Sequence, residues 1–323
     1  MGTARTDRAR GTRPDRAGRG VRPLTRCCGH PDVVLTRRTF VRTGAAAAIT
    51  GVVAVTALES GVIPGRGRFD ELLGLTGPDG VVPDVPAGPV VSGSFASRGR
   101  GTEVGYSVIY PDGYAANARL PVVLALHGRG GDHRSAVNDL GMDRFLTATV
   151  RNGTPPFAIA TADGGQDSYW HRRANGNDPG YMLSQEFLPL LAGRGLNTGR
   201  YGVLGWSMGG YGALLHVLQD KVKPVAAGAM SPALWHSYDD VQPGAFDDAA
   251  DFARNQVFGR RGEFEEVAVR IDCGRDDPFA GAAHDLRNEL DAAGGQQPGL
   301  HTGGYWRRML PDQLRFLGAE LAG

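Results

Sequence analysis

One serine stands among glycines in the stretch VLGWSMGGYG, residues 203–212, with the spacing Gly205-x-Ser207-x-Gly209. A serine hydroxyl attacks a carbonyl only if a base takes its proton and its backbone holds it clear of neighbouring side chains. Small residues two before and two after it permit a sharp turn from a strand into a helix. The hydroxyl is then exposed at the positive end of that helix. The competing reading is a glycine-rich turn for close packing or for a dinucleotide. Against it, the spacing is not G-x-G-x-x-G, and two predicted strands of the sheet already precede the turn. Ser207 is the candidate nucleophile.

A nucleophile of this kind needs donors for the oxyanion it creates. LHGRGGDH, residues 126–133, follows an apolar run, and its glycines free the backbone to turn amides inward. The expected pair is the amide of Met208, just after the serine, with that of Arg129; Gly130 is the fallback for the second donor. The base must be one of eight histidines. His30 lies in the basic leader, His127 and His133 flank the glycine loop, and His216 and His284 fall inside predicted helices. His171 and His236 are loop positions suited to substrate contact. His301, in PGLHTGGYW before the last helix, is where the order serine, acid, histidine requires the base. The acid comes from IDCGRDDPF, residues 271–279. Asp277 is favoured, Asp276 is the alternative, and the surplus aspartate would cap the helix that follows. Trp170, His171, Trp206, Trp235 and Trp306 are the candidates for lining a substrate pocket, against the plain alternative of core packing.

These side chains need a frame that brings distant loops together. The pattern 103–111 alternates and predicts an antiparallel edge strand. Apolar runs at 120–128, 156–163, 201–206, 224–232 and 267–274 predict strands buried on both faces. Helical spacing appears near 138–150 and over 181–193, 208–220, 278–295 and 305–321. Strand and helix in alternation predict an α/β fold, a mostly parallel sheet with helices on both faces, its ligand beyond the carboxyl ends of the strands. The loops after His127, Asp163, Trp206, Ser231 and Cys273 should then meet at one crevice. Residues 235–266, aromatic at the start and acidic afterwards, are long enough for a modest cap.

LALHGRGG, GWSMGGYGALL, CGRDDPF and H-x-x-x-Y-W together resemble the esterase D-type α/β-hydrolases. That family includes S-formylglutathione hydrolases, feruloyl and other carboxylesterases, and secreted mycolyltransferases. The resemblance implies the α/β-hydrolase fold, a triad of Ser207, Asp277 and His301, acyl-enzyme chemistry, and no cofactor or metal. The two adjacent aspartates are where the chain departs from the family pattern. The expected activity is ester hydrolysis on a small-molecule, lipid or carbohydrate ester. The rivals are an acyltransferase working on cell-envelope lipids or sugars, and a non-catalytic binding protein on the same fold.

Bulk composition narrows the field further. Of 323 residues 41% are hydrophobic, enough for a sizeable core. Residues 1–42 carry eleven arginines against Asp7, Asp15 and Asp32, so the rest of a chain of net charge +1 is mildly acidic. An acidic body argues against nucleic acid as a partner. Three cysteines, two of them in the leader, build neither a disulfide framework nor a metal-binding spacing. Thr36-Arg37-Arg38-Thr39-Phe40-Val41-Arg42, followed by the short apolar segment 44–58, resembles a twin-arginine export signal; uncleaved, that segment would be a weak membrane anchor. The expected organisation is a leader over 1–60, a Pro/Gly-rich linker over 61–92 and a catalytic domain over 93–323, exported to the envelope or beyond.

Overall fold

The apolar runs become the middle of an eight-stranded sheet. A computed structural model describes residues 73–220 and 222–323; the twin-arginine segment, the apolar stretch 44–58 and the start of the expected linker lie outside the described residues. The strands are β1 (Val90–Ser97), β2 (Thr102–Ile109), β3 (Pro121–Leu126), β4 (Ala158–Ala162), β5 (Asn197–Trp206), β6 (Ala226–Met230), β7 (Ala268–Gly274) and β8 (Ala293–Gln297). Their order is β1-β2-β4-β3-β5-β6-β7-β8. β1 and β2 pair antiparallel, as do β2 and β4, and every later pairing is parallel. β4 and β6 are buried along their whole length, and β3 after its first residue, as strands with both faces covered must be.

Helices cover both faces. On one side lie α1 (Met142–Arg151) and α6 (Gly303–Ala322), closing an apolar cluster with Phe145, Leu146, Leu310, Leu314 and Leu317. On the other lie α2 (179–193), α3 (Met208–Gln219) and α5 (Ala280–Leu290). α2 is continuous through Pro179–Tyr181, a π-helical Met182–Phe187 and Leu188–Gly193. A short helix, α4 (Ala249–Arg254), belongs to the insertion after β6.

Three expectations change. β2 is antiparallel but not an edge, because β1 covers it over eight residues, and the expected linker 61–92 runs into β1. The helix expected over 278–295 stops at Leu290; Asp291 takes a left-handed conformation (φ 53°) and the chain turns into β8. Its sequence, AGGQQ, has no strand-forming side chain, and pairing with β7 alone makes it a strand. The insertion 235–266 does not roof the crevice. It packs beside it, with Gln242 its one residue in the cleft wall.

Register sets up the site. Leu126 pairs with Gly205, Trp206 with Met230, and Met230 with Asp272, so β3, β5, β6 and β7 end at one level. The loops that leave them begin on the same side of the sheet.

Candidate active site

Ser207 sits between β5 and α3 with φ 56° and ψ −121°, a conformation that residues other than glycine rarely adopt. Tight surroundings hold it there. A Cβ on Gly205 would lie 1.9 Å from Gly209 O, and one on Gly209 would lie 1.9 Å from Leu126 O. The Ser207 amide donates to Met230 O (3.0 Å), and Ala233 N and Tyr211 N donate to Ser207 O (3.0 and 3.1 Å). Every backbone group of the serine is thereby spent, and its Oγ is left to face the cleft.

His301 and Asp277 converge on that oxygen. Ser207 Oγ and His301 Nε2 are 2.8 Å apart, and His301 Nδ1 is 2.8 Å from Asp277 Oδ2. A carboxylate only accepts, so Nδ1 carries the proton and Nε2 is free to accept from the hydroxyl. Asp277 is buried, and its Oδ1 takes the Phe279 amide (2.9 Å), which fixes the carboxylate plane. Asp276 ties the loop down through its main chain, its amide donating to Gly299 O (3.0 Å). The choice between the two aspartates therefore falls on Asp277. The imidazole is bracketed by two rings set on edge, Phe279 at 5.3 Å and Trp306 at 5.1 Å.

The loop after β3 supplies the opposite wall. Gly128 O is held by His127 Nδ1 (2.8 Å) and by the Gly131 amide (3.1 Å). In a trans peptide the next N–H points away from that carbonyl, so the Arg129 amide is directed off the pinned side of the loop. Gly130 is not available as the fallback donor, because its amide is committed to Gln166 O (2.6 Å). Met208 opens α3 with its side chain fully buried, and its amide belongs to the first, unsatisfied turn of that helix.

Two histidines act as scaffold here. His127 Nε2 accepts from the Gly164 amide (3.0 Å), so Nδ1 is the protonated nitrogen. Burial pushes its pKa down, against the opposing bond to Gly128 O, and the ring is neutral. His133 binds Asp163, whose Oδ1 accepts from the His133 amide and ring (2.8 Å each) while Oδ2 takes the Gly105 amide (3.0 Å). Burial would raise the Asp163 pKa, but these donors outweigh it and hold it below the usual carboxylate value.

The cleft has a volume of about 540 Å³. Gly128–Gly131, Asp139, Leu140, Tyr169, Trp206, Ser207, Ala233, Gln242, Phe279, His301 and Trp306 line it, so the five loops expected to meet do so, joined by the loop after β8. Trp206 and Trp306 are thus in the wall. Trp170, His171 and Trp235 are not. Trp170 (2% exposed) sits under the loop with its Nε1 donating to His127 O (3.2 Å). His171 (0% exposed) has its Nε2 3.0 Å from Ala245 O and anchors the insertion. Trp235 packs edge-on against Phe279 at 5.3 Å, behind the wall. Large aromatics are drawn to the core as strongly as to a pocket, which is why their type alone misplaced them. Tyr169 and Phe279 were missed. Phe279 stands two residues after the acid, a signal that was available; Tyr169 reaches the cleft only because it and Trp170 both take positive φ (51° and 59°), which no residue type announces.

A family model named Esterase, described as "Putative esterase", matches residues 97–317. No match was found among curated proteins. Among solved structures, a ferulic acid esterase superposes with a TM-score of 0.61 at 20% identity, over 72% of this chain and 98% of its own. The fluorophosphonate-binding serine hydrolase F of Staphylococcus aureus gives 0.59 at 17% identity, over 72% and 99%. An S-formylglutathione hydrolase from Agrobacterium tumefaciens gives 0.59 at 16% identity, over 74% and 98%. At these identities the likeness is one of fold.

Proposed function

Because this chain belongs to the Esterase family, we propose that it is an exported carboxylic-ester hydrolase that works through an acyl-enzyme on Ser207. The observation that carries the reading is the pair of 2.8 Å hydrogen bonds linking Ser207 and His301, in the cleft, to the buried Asp277. His301 Nε2 takes the hydroxyl proton as Oγ attacks the ester carbonyl. The amides of Met208 and Arg129 receive the oxyanion. Asp277 keeps Nδ1 protonated and stabilises the imidazolium. The imidazolium then protonates the leaving alcohol, and a water deprotonated by the same ring frees the acid.

Tyr169, Trp206, Phe279 and Trp306 give the cleft an aromatic wall, which suits an apolar or aromatic acyl group of a small ester. Ser207→Ala should abolish turnover of aryl esters and labelling by a fluorophosphonate; labelling that survives the substitution excludes Ser207. Adding glycerol or a sugar during turnover separates hydrolysis from transfer, since a transferase would yield the new ester. Export rests on the twin-arginine pattern alone. N-terminal sequencing of the secreted protein tests it, and a mature chain that still begins near Met1 sinks it.

A further inference from the structure

Residues 76–82 precede the sheet and lie outside the residues 97–317 matched by the family model, yet they are bonded to the frame of the site. The Gly80 amide donates to Gly304 O (2.8 Å), and Arg307 Nε donates back to Gly80 O (3.0 Å). Arg308 Nη1 donates to Pro78 O (2.8 Å). These bonds grip the first turns of α6, which begins two residues after His301. Arg308 also reaches the other end of the His301 loop, where Nη2 donates to Pro298 O. Arg307 Nη1 donates to Asp139 O (3.2 Å), in the cleft wall. Val82 closes the path by packing on Gly141, just before α1, and on the apolar cluster beneath α1 and α6.

The approach is close enough to require glycine on both sides. A Cβ on Gly80 would lie 2.1 Å from Arg308 N, and one on Gly304 would lie 1.8 Å from Asp79 Oδ1. The Asp79 carboxylate thus lies at the N-terminal end of α6, where unpaired amides favour an anion.

We propose that residues 76–82 are a positioning strap, which holds the His301 loop and the Asp139–Leu140 wall in register with Ser207. The proposal rests on the reading of His301 as the base for Ser207. A segment that served stability alone would leave the turnover of folded molecules unchanged. A segment that positions the base lowers kcat, because small displacements of a reacting group cost up to about a hundredfold in rate.

The test uses the full chain carrying Gly80→Val, which drives the strap off α6 and touches no group in the reaction. Hydrolysis of p-nitrophenyl acetate is measured well below the melting temperature, with the rate of fluorophosphonate labelling. The expected result is a kcat about ten- to a hundredfold lower with KM within about twofold. The rate of fluorophosphonate labelling should fall in parallel with kcat. A folded Gly80→Val protein with the parent's kcat and labelling rate overturns the strap, whatever its melting temperature. Should that variant fail to fold, Asp79→Ala decides: a several-fold loss of kcat supports the strap, and an unchanged kcat and labelling rate overturns it. Ser207→Ala is run alongside. Labelling that persists there would sink the reading of the site itself, independently of how the strap variants behave.

Discussion

Three residue types were legible because the chemistry admits few substitutes. A hydroxyl, a carboxylate and an imidazole in that chain order, each at a strand end, name Ser207, Asp277 and His301, and the structure brings all three within hydrogen-bond reach. Choosing Asp277 over Asp276 needed coordinates, since neighbouring residues of one type differ only in which way the loop turns them. His127 was legible as a neighbour of the glycine loop but not in its task. That task depends on the tautomer, and the Gly164 amide imposes it from another strand's loop. His127→Leu removes the bond that pins Gly128 O and lets the Arg129 amide swing. If that amide holds the oxyanion, kcat should fall by about ten- to a hundredfold with little change in KM, less than the roughly hundred- to thousandfold of a donor removed outright, because the amide is loosened and not deleted; steady-state kinetics on an aryl ester decide it.

At the scale of elements, periodicity and apolar runs found the strands buried on both faces and most of the helices. It failed at the two margins of the sheet. β8 is a strand because β7 offers its edge, a reason that resides in tertiary pairing and not in its own side chains, and β1, with Val90, Val91 and Phe95 separated by Ser and Gly, is held by its eight-residue pairing with β2. The turn from β5 to α3 is the opposite case, since its glycines announce the crowding they relieve. Gly205→Ala puts a methyl 1.9 Å from Gly209 O, and Gly209→Ala puts one 1.9 Å from Leu126 O. Backbone cannot yield as the end of a side chain does, so each variant should lose folded protein or several degrees of melting temperature along with activity. Thermal unfolding of the purified variants is the measurement, and a Gly205→Ala protein as stable as its parent would contradict the packing described.

For the molecule as a whole, stability should depend on pH through a group far from the cleft. His216, on α3, is enclosed with the Tyr201 hydroxyl 3.0 Å from its Nε2. Burial lowers its pKa to about 4, although the Asp220 charge opposes the shift. The unfolded chain takes up this proton below about pH 6.5, while the folded one resists until about pH 4. In that window the unfolded state binds more protons, so stability rises with pH and is lost as pH falls. Melting temperatures should drop between pH 7 and 5, and His216→Gln should flatten that slope. The strap at residues 76–82 shows the limit of legibility at this scale. Its Pro/Gly composition announces the absence of regular structure, whereas the Gly80 and Pro78 main-chain groups that bond to Arg307, Arg308 and Gly304 carry no side-chain signature. The antiparallel start of the sheet carries a consequence of another kind. β1 is what stands between solvent and the bonding edge of β2, whose last four residues are buried. A recombinant chain begun at residue 97, where the family match starts, would bare that row of amides and carbonyls as a template for the next molecule. Such a protein would then be lost to strand-swapped assemblies and precipitation, not to any defect of its chemistry.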